Sequence, residues 1–470
     1  MRKFILAGGA AFLLAGTAPS AFAQGAEGQA VTMQEAIATA MQSNPEILEA
    51  QYEKEAIEFE RKQAEGLFLP RVGIEASAGV RRLENNTRRV LGISDDELYP
   101  REAGLTADWT ALDFGRRRGE LLRQAARVDG ASLRVLERSE FVALQIARQY
   151  LDVLLQERVV AAARDNATFH QGLVGDLERG VREGSISIAD QQQAEERYQS
   201  ALVRAEEADL GYRNAAITLR RLTGLDVSAG TLPPDLSAAL PGDLPTAIGL
   251  ARLDNPLVRE AQADVDAANA LVTSAEGELW PTIGIEGRAR TGKDIDGFQG
   301  ETNDLQARVV LRWDVFDGGI NRARVQESVR RASAARYALH DRQRAAEEDV
   351  RLAWQALQTQ GRVVGQLGRQ AQVSDDLLLS YRSQFDIGRR SLLDVLDAQN
   401  TRFNTQVRLE TARFSQLFAQ YQTLAATNNF LDALSIAPGA GAGENERERF
   451  DYGPPVPAEL QRRVYPDPEG

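Results

Sequence analysis

Asp394 and Asp397 stand one helical turn apart in the stretch Phe385 to Asn400, FDIGRRSLLDVLDAQN. A helix there places both carboxylates on one face. Such a pair suits three roles. It can be part of a solvated helix face, it can supply the two acids of a glycoside hydrolase, or, repeated around an axis, it can line a cation-favouring constriction. Gly388 interrupts the helical pattern just before the pair. Ser391 can cap a new helix with Asp394 three residues on, as in a capping box. Leu392, Leu393 and Leu396 are expected to pack elsewhere. A weaker copy of the turn lies 204 residues earlier: Gly184, Ser187, Ile188, Asp190 and Ala194 match Gly388, Ser391, Leu392, Asp394 and Ala398.

Other routes to catalysis find no support. His170 and His340 lie in charged helical stretches without metal-ligand spacing and read as solvated helix residues. Gly439 to Gly443 follows no strand and carries no Lys-Ser/Thr, so it is not a phosphate loop. No nucleophile elbow is present. The 470 residues include no cysteine, which excludes disulfides, thiolate metal sites, cysteine nucleophiles and a lipid-bearing N-terminal cysteine. A net charge of −13 leaves no basic face for nucleic acid. The acid pair sits on a predicted coiled coil rather than in a pocket, which sets the hydrolase aside. The sequence therefore predicts no enzyme, no cofactor and no metal site.

The elements that must position these residues are duplicated. Asn44-Pro45 recurs as Asn255-Pro256, Ala64-Glu65-Gly66 as Ala275-Glu276-Gly277, and Gly73-Ile74-Glu75 as Gly284-Ile285-Glu286, all at an offset of 211. Farther on, Trp109, Asp113 and Arg158-Val159-Val160 match Trp313, Asp317 and Arg362-Val363-Val364 at 204. An ordered series with one change of offset indicates internal duplication, with the longer loop in the first copy between Pro70 and Trp109. The domain reading is a signal peptide over 1–23, a first repeat over 24–231 and a linker over 232–245. A second repeat over 246–434 and a disordered tail over 435–470 complete it.

Each repeat predicts a short helix, a second helix restarted at Asn-Pro, a β-hairpin and a long helix pair. The hairpins span about 71–110 and 282–314, where apolar and polar residues alternate with period two. Four strands of roughly ten residues match the length that crosses a tilted bilayer. Trp109, Trp280 and Trp313 fall at strand ends, where an interfacial girdle would sit. The long helices, about Arg116 to Gly180 and Asn321 to Gln384, contain no proline and would each reach roughly 100 Å. Phe403, Val407, Glu410, Phe414, Leu417, Tyr421 and Leu424 repeat at alternating spacings of four and three, a coiled-coil seam. At the N-terminus, Arg2 and Lys3, an apolar run and Ala21-Phe22-Ala23 predict a secretory signal peptide cleaved before Gln24. An exported chain with no other apolar span can cross a membrane only as a barrel. Four strands cannot close one, so several copies must share it.

These features resemble the TolC family of outer-membrane exit ducts over roughly Val31 to Leu434. The duplicated Asn-Pro, Trp313 to Gly319 (WDVFDGG) and Phe385 to Gln399 carry the resemblance. Its SLLDVLDAQN run looks most like members that serve type I protein secretion. The resemblance implies a mainly α fold with a small β part. Three protomers would build a twelve-stranded outer-membrane β-barrel on a periplasmic tunnel of twelve helices. It places Asp394 and Asp397 on an acidic pore constriction. Arg390 falls on a gate latch, Asp190 on the acid that holds it, and Phe385 where a tyrosine often adds a hydrogen bond. The turns at Gly184 and Gly388 would meet a periplasmic adaptor linked to an inner-membrane ABC transporter. The alternative within transport is a multidrug or metal efflux duct, whose inner-membrane partner can be a proton-driven pump. The alternative from another class is a periplasmic coiled-coil adaptor without a pore.

Overall fold

The computed structural model describes residues 29–443 and residue 445. The expected signal peptide and most of the expected tail lie outside these residues. Asn-Pro sets the first landmark in each repeat. In the first, α1 (Met33–Ser43) stops at Asn44 and α2 (Pro45–Gly66) starts on the proline. A missing N–H costs nothing in a first turn, and the fixed φ of proline suits it. The Asn44 side chain accepts from Glu46 N–H at 2.9 Å and caps α2.

From α2 the chain enters β2 (Arg71–Ala78), after a two-residue β1 (Gln29–Ala30) earlier in the sequence. It then passes through α3 (Asn86–Val90), β3 (Arg101–Leu112), the 67-residue α4 (Arg116–Arg182) and α5 (Ile188–Thr223). Next, β4 (Val227–Ala229) pairs in parallel with β1. The second repeat runs α6 (Leu244–Asp254), α7 (Pro256–Gly277), β5 (Thr282–Lys293) and β6 (Glu301–Arg312). It finishes with the 67-residue α8 (Ile320–Asp386), α9 (Leu392–Ala426) and a closing turn, α10 (Phe430–Ala433).

The two hairpins join in one antiparallel sheet of order β2-β3-β5-β6, with β2 and β6 at its edges. Register fixes the faces. Ile74 pairs with Leu105, Leu105 with Ala289, and Ala289 with Leu305. Trp109, Ile285 and Val309 form another row on that same side. The apolar row is continuous, yet Ile74 is 81 % exposed and Leu305 86 %. The opposite face carries Glu286 bonded to Arg308 at 2.6 Å and to Arg312. There too Arg290 meets Asp304 at 3.2 Å.

The largest apolar core lies along the middle of α4, where Ile146, Tyr150 and Leu154 meet Ile37 of α1, Leu219 of α5, and Tyr421 and Leu424 of α9. α5 contributes Ala194, Ala201, Ala208 and Ala215, all buried and spaced by seven. Small residues at a heptad seam let two long helices run close. The predicted seam on α9 is buried at Phe403, Phe414, Tyr421 and Leu424 but half-exposed at Val407, Glu410 and Leu417. Leu409 and Ala412 complete the packing there.

The stretch expected as a linker, 232–245, packs on the core: Leu236 is buried there, and Pro234 O accepts from Tyr421 Oη at 2.9 Å. One expectation needs correction. The expected disordered tail is ordered at its start. Gly439 N–H donates to Ser139 Oγ and Gly443 N–H to Ser132 O, both at 3.0 Å, laying residues 435–443 along α4. Among the described residues no helix is long and apolar enough to cross a membrane.

Candidate functional site

Both long helix pairs turn by the same device. Gly184 (φ +75°) and Gly388 (φ +74°) adopt the left-handed conformation just past the ends of α4 and α8. Ser185 N–H reaches back to Gly180 O at 2.9 Å, and Gly184 N–H to Val181 O at 3.0 Å. Arg389 N–H reaches Gln384 O, and Gly388 N–H reaches Phe385 O, both at 2.8 Å. These are paired backbone hydrogen bonds that close a helix C-terminus when glycine supplies a positive φ. The next helix then begins on a serine. Ser187 Oγ accepts from Asp190 N–H at 3.1 Å, and Ser391 Oγ from Asp394 N–H at 3.2 Å.

The carboxylate pair divides in two. Asp394 completes the capping box, accepting from Ser391 Oγ at 2.8 Å, and lies 3.7 Å from an Arg390 nitrogen. The Ser391 hydroxyl, with the Ser391 N–H and Arg390 adding to it, holds its carboxyl below the usual range against the opposing cost of burial. Asp397 is exposed and has no ion-pair partner among the described residues. One carboxylate is thus tied into the turn while the other is free. Of the three leucines expected to pack, Leu392 and Leu396 are buried; Leu393 is 48 % exposed and is corrected to a surface position.

Arg390 is held by its own hairpin. Its Nε donates to Gln384 Oε1 at 3.0 Å, and its guanidinium lies 4.2 Å from the centre of the Tyr381 ring. Asp190 accepts from Ser187 Oγ at 2.7 Å. Within one protomer the structure does not bring Arg390 and Asp190 together. Phe385 is half-buried among Leu173, Leu177, Leu392 and Leu396, with Leu378 and Val395 beside them, and so packs the tip where the helix pairs meet.

Sequence reasoning missed the contacts that join the two hairpins. Arg382 of α8 pairs with Asp176 of α4, with its guanidinium 5.8 Å from the Phe169 ring. Gln399 of α9 donates to Asn166 of α4 at 2.9 Å in a buried contact. His170, expected to be solvated, is only 5 % exposed; burial, reinforced by Arg197 and Arg204, pulls its pKa down to about 4. It is therefore neutral at physiological pH. Asn166 and His170 stand four residues apart, so they share a face, which was the available signal.

At the other end, duplicated tryptophans tie strands to helices. Trp109 Nε1 donates to Phe68 O at 2.9 Å, and Trp313 Nε1 to Leu279 O at 3.2 Å. Trp280 stacks on Phe114 at 5.8 Å between ring centres. All three indoles are largely exposed. Asp113 and Asp317 then cap the long helices: Arg117 N–H donates to Asp113 at 3.0 Å, and Asn321 N–H to Asp317 at 2.8 Å.

Residues 36–225 and 247–429 match the family model described as outer membrane efflux protein, one segment on each repeat. Nodulation protein T of Rhizobium leguminosarum bv. trifolii is 26 % identical over 351 residues, covering 72 % of this chain and 71 % of that protein. Outer membrane protein TolC of Escherichia coli is 22 % identical over 433 residues, covering 87 % and 85 %. The solved CmeC outer membrane channel of Campylobacter jejuni superposes with a TM-score of 0.74 at 16 % identity, covering 85 % of this chain and 86 % of that one.

Proposed function

The chain belongs to the outer membrane efflux protein family, and on that premise we propose that it is the exit duct of a three-part type I protein secretion machine. As an outer-membrane efflux channel it carries out transport, not catalysis. The observation that carries the duct reading is the pairing of two ends in one chain. One end is a four-stranded sheet with an exposed apolar face and two open edges; the other is a pair of capped helix turns bearing a free carboxylate.

An open sheet edge is not tolerated in lipid, and four strands are too few to close. Three copies lending four strands each make a twelve-stranded barrel with the apolar face toward lipid. Rotational symmetry then sets three Asp397 carboxylates around the axis, a ring that favours cations. Among the described residues of its protomer the Asp190 side chain bonds only Ser187, which leaves it open to the proposed latch residue, Arg390 of a neighbouring copy. An adaptor and an ATP-driven exporter dock at the Gly184 and Gly388 turns and spread the inner helices. Cargo then passes without chemistry in this chain. Trp109, Trp280 and Trp313 mark the inner membrane–water boundary.

The run Ser391 to Asn400 supports protein secretion over drug export, and culture supernatants test it. Cells lacking the gene should lose one or a few large secreted proteins. An unchanged set of secreted proteins would instead favour small-molecule export; the family description itself says only efflux.

A further inference from the structure

The end of the sheet away from the helices carries an arrangement that the duct does not use. Arg101 of β3 and Lys293 of β5 are directly paired across the two inner strands. Directly opposed residues share a face, and like charges so placed repel. Their face is the apolar one. The same row positions read Leu105, Ala289 and Leu305, then Ala103, Thr291 and Asn303, then Arg101, Lys293 and Glu301. Polarity therefore rises in three steps toward the rim, and Thr291 Oγ1 and Asn303 Oδ1 are bonded at 2.6 Å in the middle step. Arg101 and Lys293 are both exposed, and among the described residues neither has an ion-pair partner. Glu301, on the far side of Lys293, forms no ion pair with it. By contrast, Arg290, Arg308 and Arg312 on the opposite face are paired with carboxylates, and Arg288 there, without an ion pair among the described residues, is opposed by Thr106 and Gln306 rather than by a second cation.

Depth agrees with this placement. Trp109 and Arg101 are eight residues apart on one strand, about 26 Å along it. At a tilt of about 40° that becomes about 20 Å along the membrane normal, close to the height of a barrel's apolar band. With Trp109 at the inner boundary, Arg101 and Lys293 stand at the level of the outer headgroups. Barrel closure uses the edges of β2 and β6, so the inner strands keep this face uncovered.

We propose that Arg101 and Lys293 form a binding site for the phosphate group of an outer-leaflet lipid. This rests on the barrel reading above. Two cations forced together, with Glu301 opposite Lys293 but in no ion pair with it, gain from a shared anion. The planar fork of arginine beside the point charge of lysine suits phosphate oxygens. Glu301 limits the anion to the interval between Arg101 and Lys293.

The test reconstitutes the full-length protein in phosphatidylcholine nanodiscs doped with diphosphorylated lipid A and measures retained lipid A by native mass spectrometry. Wild type should retain it. Arg101→Gln with Lys293→Gln should weaken retention about thirtyfold, and Arg288→Gln, on the opposite face, should leave it unchanged. Should the double variant fail to assemble, each single variant should weaken retention about fivefold. Equal retention by wild type and these variants overturns the proposal. So does displacement of lipid A by an equal concentration of inorganic phosphate, which would assign the site to the free anion. Planar-bilayer conductance separates this from the duct reading. Wild-type protein that conducts in bilayers but retains no lipid A in the doped nanodiscs refutes the site alone. Charge-dependent retention by a chain that never conducts supports the site and refutes the duct.

Discussion

At the scale of single residues, one asparagine side chain serves two helices at once. Asn44 caps α2 and donates from Nδ2 to Leu222 O, at the end of α5, at 3.1 Å. Asn255 repeats this with Leu257 N–H and with Ala426 O, the latter at 3.4 Å. Asn44→Ala should cost about 2 kcal/mol, since a buried carbonyl loses its donor along with the cap. Asn255→Ala, with a longer and less buried bond, should cost about 1 kcal/mol; thermal unfolding of both variants checks the order. The acid pair separates by role in the same way. Asp397→Asn should lower cation selectivity in bilayers while leaving the unfolding temperature alone. Asp394→Asn, which alters the cap, should lower that temperature. A third carboxyl, Glu140, is buried against α10, accepting from Leu431 N–H at 3.3 Å while its other oxygen has no partner among the described residues. Burial, with Asp432 adding to it, pushes its pKa from 4.5 up to about 8, against the Leu431 hydrogen bond. Between those values the folded chain keeps a proton that the unfolded chain loses, so this group makes stability fall as pH rises across that window. Glu140→Gln should flatten that slope, as read from denaturation midpoints between pH 5 and pH 8.

At the scale of elements, the glycines of the turns differ from those between helices. A Cβ on Gly184 or Gly388 meets nothing within 4 Å, so Gly388→Ala should cost only its left-handed backbone, about 1 kcal/mol. A Cβ on Gly119 would lie 2.4 Å from Ser274 N, where α4 crosses α7. Gly119→Ala should therefore force the two helices apart and cost up to about 3 kcal/mol. Comparing the unfolding temperatures of the two variants tests the contrast. The turns were legible in the sequence because Gly388, Ser391 and Asp394 act within a few residues of one another. The hairpins were legible because alternation is local, and the helix lengths because proline is absent from them. Gly119 gave no such signal, since its reason is a helix distant in sequence. The same holds for Gln399, which reads as an ordinary polar helix residue until α4 and α9 are laid together, and for His170, whose burial depends on helix packing rather than on its neighbours in sequence. The ordered stretch from Ser435 to Gly443 was missed because its Pro and Gly content suggests disorder, whereas its backbone bonds go to Ser132 and Ser139.

At the scale of the whole molecule, duplication has given one chain two hairpins that pair with each other, leaving β2 and β6 as edges without a partner. Both edges belong to a sheet whose exposed apolar row would be unfavourable in water. The account's central claim is that copies of the chain close these edges into one barrel. The absence of cysteine makes a direct test simple. Ile74→Cys on β2 can be combined in turn with Leu305→Cys, Val309→Cys or Leu311→Cys on β6. Within one chain β2 and β6 are separated by two strands, about 14 Å, which no disulfide spans. Oxidation in intact outer membranes, followed by non-reducing electrophoresis, then reports only bonds between copies. A covalent trimer from at least one pairing is the predicted result. Folded, membrane-inserted protein that remains monomeric for all three pairings would contradict the claim.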